Sequence, residues 1–366
     1  MTETTPSGTS SQVTTAVLKS KEQIFQEQAQ TASPMEQNPD IQRLKREMPE
    51  EEYTTFIKSL LDVNPLQKLD LTEFCRIFKV DLSQLGYDQV LNQLNTVKQL
   101  SKYISGRRLL ISAFPKSGSS YLSNQLSVGL RLPFQHLTTS AHFPSQLGMN
   151  GREQELCDFA LCRKMLKGPG FVAQHHMKGT LYLVNLLKQY GVKVILTVRN
   201  IFDALISMDD MFMKESWHLP SFQPAWKLPI NYQTLNIDER MTILGDTIGI
   251  WYLDFYLSWL RLKRDGSDHL VIRYEKHLSK NSGNKQLLFD TLATYLNLND
   301  AESNGLHNAL LTEDFSRNSA RFNQGITGRG KDIPTSVREH IIRHATFFQD
   351  ELTATDWHTL FGTAPA

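Results

Sequence analysis

Four short runs of apolar and β-branched residues punctuate the chain from about residue 107 onward, at 108–114, 170–175, 193–199 and 269–275. Each has the length and near-continuous hydrophobicity of a strand covered on both faces. Between and after them, at 119–130, 179–190, 201–213, 239–264, 284–297 and 334–349, apolar positions recur every three or four residues, the period of an amphipathic helix. Strand and helix alternate, so the expected fold class is α/β, a mainly parallel sheet flanked by helices. The stretch 215–236 breaks the rhythm: Pro220, Pro224 and Pro229, with Trp217, Trp226 and Tyr232, show no periodicity. A long loop of this kind in a compact domain is expected to serve as a lid.

The first hundred residues are patterned differently. Positions 1–38 are rich in Thr, Ser and Gln and are expected to be a disordered tail. From 39 to 104 the pattern turns helical, with Ile57, Leu60, Leu61, Phe74, Ile77, Phe78, Leu91, Leu94 and Val97 at helix-like spacing. This N-terminal helical extension is read as an accessory region beside a main domain at 105–366. It could dock a partner, form a homodimer contact, cover the core or only add stability.

Composition narrows the classes. A chain of 366 residues, 40% hydrophobic and 21% charged, can bury a full core with an appendage. A net charge of +1 argues against nucleic acid or a membrane surface as partner. No run of 18 apolar residues occurs and the polar N-terminus is not a signal peptide, so a cytoplasmic location is expected. Cys75, Cys157 and Cys162 are odd in number and loosely spaced, which fits reduced thiols and no metal set.

Candidate chemistry lies where strands meet helices. The loop Phe114-Pro115-Lys116-Ser117-Gly118-Ser119-Ser120 offers a cation, several hydroxyls and backbone N–H groups at a helix N-terminus, where the helix dipole favours an oxyanion. It is not a Walker A motif, because Lys116 precedes the only glycine. A second junction follows 193–199: Arg199 carries a planar fork suited to phosphate, and Asn200 is placed to cap the next helix. The segment 321–331 adds three glycines and three basic residues, which can bring donors close to a polyanion. A strand at 170–175 runs into His175-His176, and an imidazole can act as a base near neutral pH.

Pro115-Lys-Ser-Gly-Ser-Ser-Tyr-Leu122 resembles the P-K-[ST]-G-[ST]-[ST]-[WY]-L loop of sulfotransferases that use 3′-phosphoadenosine 5′-phosphosulfate (PAPS) and release adenosine 3′,5′-bisphosphate (PAP). Arg199, Asn200, Asp203 and Ser207 are similar to that family's R-N-P-x-D-x-x-x-S, with Ile201 in place of proline. Phe322, Gly325, Gly328 and Lys331 are in register with F-R-K-G-x-x-G-D-W-K, where Asn323-Gln324 and Arg329-Gly330 depart from it. Tyr274-Glu275 closes a strand as in the family. The resemblance covers roughly residues 105 to 360, about two-thirds of the chain.

It implies a P-loop-like sulfotransferase domain in which Lys116, Ser117, Gly118, Ser119 and Ser120 hold the 5′-phosphosulfate. Arg199 and Ser207 would then hold the 3′-phosphate, Tyr121 and Tyr274 meet the adenine, and Gly328, Arg329, Gly330 and Lys331 complete the nucleotide site. The family's K-T-H falls on Gln174-His175-His176, which makes His176 the base; a shift of one residue would promote His175, and only one of the two can face the cleft. Lys116 would stabilise charge on the departing nucleotide. No metal is required. Asp209 and Asp210, with Glu215, either favour a polar or cationic small-molecule acceptor, such as an amine- or guanidine-bearing specialised metabolite, or form a solvated helix face. A P-loop nucleotide kinase and an inactive nucleotide-binding module are the alternatives.

Overall fold

The computed structural model describes residues 46, 81, 86–137, 156, 158–167, 170–214, 228–279, 282–312 and 327–363. The tail at 1–38, most of the accessory region, Cys75, Cys157, positions 215–227 of the expected lid and 321–326 of the glycine-rich segment lie outside them.

Among the described residues five strands form one sheet, all parallel, in the order β2-β3-β1-β4-β5. They are β1 (Arg108–Ala113), β2 (Phe134–Gln135), β3 (Phe171–His175), β4 (Lys193–Val198) and β5 (His269–Arg273). The four apolar runs are the four longer strands; β2, two residues long, carries too little pattern to be read. β1 occupies the centre, every one of its six residues buried. Its side chains alternate between two apolar layers. Leu109, Ile111 and Ala113 join Leu122 and Leu126 of α2 (Ser119–Gly129), Leu288 and Leu292 of α9 (Ser282–Leu296), and Leu306 and Leu310 of α10 (Asp300–Thr312). Leu110 and Phe114 face the larger layer, which includes residues of α1 (Tyr87–Leu100), α3 (Asp158–Lys167), α4 (Leu181–Gln189) and α5 (Ile201–Lys214).

The helix expected at 239–264 is interrupted. It consists of α6 (Ile237–Leu244), a π turn over Gly245–Gly249 and α7 (Ile250–Arg264). Val337 and Ile341 of α11 (Thr335–Thr346) pack against that turn where Gly245 and Gly249 leave room for them, a tertiary contact absent from the local pattern. The remaining helices among the described residues are α8 (Tyr274–His277) and α12 (Ala354–Phe361), with short 3-10 turns at Tyr232–Thr234 and Arg329–Asp332. Cys162 is a buried free thiol whose pKa burial pushes up to about 12. No helix among the described residues is long and apolar enough to cross a membrane.

His269 begins β5 at 2% exposure, its ring 5.2 Å from that of Trp259. Burial first, then the nearby Lys263 charge, lower its pKa from 6.5 to about 4. The folded state therefore binds this proton less tightly than the unfolded chain, so His269 makes stability fall as pH drops from about 6.5 to about 4. We expect His269→Gln to flatten urea-measured stability across that window, by at most about 1.4 kcal/mol per pH unit. Parallel curves for the two proteins would remove His269 as a cause.

Candidate active site

β1 delivers the chain into the loop 114–118 at the carboxyl edge of the sheet. The loop is fixed from beneath. Phe114 is buried with its ring centroid 4.5 Å from Tyr252, and the Tyr252 hydroxyl donates to the Pro115 carbonyl at 3.1 Å. Lys116 (φ 65°) and Gly118 (φ 85°) both adopt the left-handed conformation. For a lysine this costs on the order of 1–2 kcal/mol. At position 118 a Cβ would lie 2.9 Å from Leu278 Cδ1 and 3.1 Å from Tyr274 Cδ2, so glycine alone fits.

The three serines have different surroundings. Ser117 is fully buried; its hydroxyl donates to the Phe114 carbonyl at 2.6 Å and lies 2.7 Å from the Thr197 hydroxyl of β4. Its hydroxyl is thus engaged within the fold. Ser119, 4% exposed, accepts a hydrogen bond from Gln174 Nε2 at 2.8 Å. Ser120 is exposed on the first turn of α2, and Tyr121 packs half-buried against the layer beneath that helix.

The two histidines separate cleanly. His175, 4% exposed, accepts the Leu137 N–H at Nε2 over 3.0 Å, which ties it into the core. His176 is half-buried, with Nδ1 2.5 Å from the carbonyl of Ala113, the last residue of β1. A carbonyl can only accept, so Nδ1 carries the hydrogen; in the neutral ring Nε2 then bears the basic lone pair. The structure thereby brings His176 to the start of the loop and leaves His175 inside.

Arg199, at the end of β4, is 5% exposed. Its guanidinium lies 4.2 Å from the centre of the Tyr274 ring, donates to the Lys116 carbonyl at 3.2 Å and stands 3.8 Å from the Asp203 carboxylate. The Asn200 side chain caps α5, accepting from the N–H groups of Phe202 and Asp203 at 3.0 and 3.2 Å, while Glu275 accepts the Asn200 N–H at 2.9 Å. Those donors are spent inside the protein, so cationic character at this junction comes from Arg199 and not from the helix end, as the sequence suggested. Burial is the main cause that raises the pKa values of Glu275 and Tyr274. Ser207, two turns further along α5, is 2% exposed.

The C-terminal loop is pinned to the same helix. Asp203 accepts the N–H groups of Gly328 and Gly330 at 2.8 and 2.6 Å, and Arg338 donates to the Gly330 carbonyl at 2.5 Å while stacking over Phe202. Arg329 pairs with Asp210 at 2.5 Å, which raises the pKa of its guanidinium; Lys331 is exposed. Asp209 is buried, held by Arg240 at 2.8 and 3.0 Å and by the Tyr232 hydroxyl at 2.7 Å. Both aspartates therefore have arginine partners within the chain, Asp209 buried and Asp210 partly exposed. Asn323 and its neighbours lie outside the described residues.

Four site residues went unread in the sequence: Thr197, Tyr252, Ala113 through its carbonyl, and Arg338. Only Thr197 carried a signal, as the one hydroxyl in an apolar strand. The described residues contain no group of three or more His, Cys, Asp or Glu side chains arranged to hold a metal.

No protein-family model matches the chain, and no curated protein matches it. Among solved structures it is similar to mouse sulfotransferase SULT7A1 complexed with PAP, at 16% identity over 70% of this chain and 92% of that one, with a TM-score of 0.42. So distant a likeness assigns nothing to this chain.

Two outcomes follow from the backbone geometry. Asp203→Ala should lower stability by about 1–3 kcal/mol and open the segment 327–332 to proteases, because the buried Gly330 N–H and the partly buried Gly328 N–H lose their acceptor; wild-type stability and cleavage would refute the anchor. Lys116→Gly should melt higher than Lys116→Ala, by the equivalent of about 1 kcal/mol, since glycine alone accepts φ 65° without strain. The reverse order would mean that the loop relaxes.

Proposed function

We propose that the chain is a sulfotransferase, moving a sulfuryl group from PAPS to a hydroxyl or amine of a small-molecule acceptor. The observation that carries this is the meeting, at one edge of the sheet, of His176 with its Nδ1 hydrogen committed to Ala113, the left-handed loop bearing Lys116, and Arg199 beside Tyr274. The loop suits an anionic group: the left-handed Gly118 leads directly into α2, and the buried Ser119 hydroxyl stands at the helix start. Lys116, Gly118, Ser119 and Ser120 would hold the phosphosulfate, Arg199 and Ser207 the 3′-phosphate, and Tyr274 and Tyr121 the adenine. The loop 328–331 would close over the nucleotide.

Bound PAPS supplies a sulfur joined to phosphate through a bridging oxygen. His176 Nε2 takes the proton of the acceptor as the acceptor's oxygen or nitrogen bonds to that sulfur. Lys116 meets the electron pair left on the bridging oxygen as the sulfur–oxygen bond breaks, and this charge is greater in the transition state than before it. The sulfated acceptor and PAP remain, with the proton on His176. Asp209 and Asp210, engaged with Arg240 and Arg329, give no reason to prefer a cationic acceptor.

Titration calorimetry with PAP, without magnesium, should register binding, and incubation with PAPS and a panel of alcohols, amines and phenols should yield a product heavier by one SO3. Lys116→Ala and His176→Ala should each lower turnover by roughly a hundredfold or more, with PAP still bound by the histidine variant. Absence of heat with PAP would end the proposal; near-normal turnover in either variant would remove that residue from the mechanism.

A further inference from the structure

Gln174 lies on β3 two residues before His176, opposite Ile111 of β1. Its side chain crosses to the first turns of α2. Nε2 donates to Ser119 Oγ at 2.8 Å, and Oε1 accepts from Ser123 Oγ at 3.2 Å. Ser123 Oγ also lies 3.1 Å from the Ser120 carbonyl, so its one proton is shared between that carbonyl and Oε1, and each end of the amide meets a serine hydroxyl.

A hydroxyl has one proton and two acceptor sites. Ser119 spends an acceptor site on the Gln174 amide, and among the described residues its own proton meets no acceptor. At 4% exposure it is shielded from bulk water, and a buried donor without a partner costs about 1–3 kcal/mol. The hydroxyl sits at the first residue of α2, directly after Gly118, where an anion would supply the acceptor.

We propose that Gln174 is a positioning residue: by donating to Ser119 it keeps that hydroxyl turned as a donor to a phosphate oxygen of the nucleotide. The proposal rests on the nucleotide site described above. Gln174 would act through Ser119.

Calorimetry with PAP, which cannot react, tests this without reference to turnover. Gln174→Met and Ser119→Ala should each weaken binding roughly tenfold, the worth of one hydrogen bond to a charged group. The double variant should bind no more weakly than Ser119→Ala alone, and Ser119→Thr, which keeps the hydroxyl, should bind nearly as wild type. A residue that merely props up α2 would instead lower the melting temperature and multiply its effect with that of Ser119→Ala. Gln174→Glu, of the same shape but without the N–H, guards against misfolding of the methionine variant and should weaken binding at least tenfold. Multiplicative losses, unchanged binding in Gln174→Met or Gln174→Glu, or tighter binding in Gln174→Met each overturn the proposal; tighter binding would mean that Ser119 gives its proton to Gln174. A wild type silent toward PAP fails the nucleotide site itself and takes the proposal with it, whereas wild-type binding that ignores position 174 sinks the proposal alone.

Discussion

Because every strand runs the same way, the carboxyl ends of all five, and the loops that leave them, share one edge of the sheet. The register does the rest. Ser112 pairs with His175, Ala113 with Thr197, and Val198 with Arg273. One step further along each strand, His176 comes to the end of β1 and Arg199 to Tyr274, the contacts observed. Such an edge, next to the central strand of an open parallel sheet, is where α/β proteins bind ligands.

Side-chain hydrogen bonds then set the positions of the groups gathered there. Ser117 joins the loop to β4 through Thr197, Tyr252 holds Pro115 from below, and Gln174 links β3 to α2. Asp203 anchors a segment 125 residues away in sequence. These groups are largely buried, where a hydrogen bond is electrostatically stronger than in water and a missing partner costs more. The same economy explains why polar residues that look like ligand contacts in one dimension, such as Ser117 and Asp209, turn inward.

The charges on α5 follow the same rule. Asp203, Asp209 and Asp210 crowd one helix, yet each meets an internal donor: backbone N–H groups, Arg240 and Arg329 respectively. The helix becomes a neutralised platform that carries the C-terminal loop and the segment around Tyr232, and the cationic side chains Lys116 and Arg199 stay beside the sheet edge.

The four longer strands, most of the helices, the loop 114–118 and the pair of histidines were legible in order, because hydrophobic period and turn chemistry are local properties that a linear pattern records. The choice between His175 and His176 was not, since it depends on which side of β3 the Leu137 N–H and the Ala113 carbonyl lie. The packing of α11 on the π turn, the Glu275 acceptor at the start of α5 and the arginines facing Asp209 and Asp210 likewise depend on residues distant in sequence, 31 to 119 positions away for the hydrogen bonds. Local sequence sets which groups are available; the tertiary structure alone settles which are already used, because hydrogen bonding and charge neutralisation are decided by distance in space.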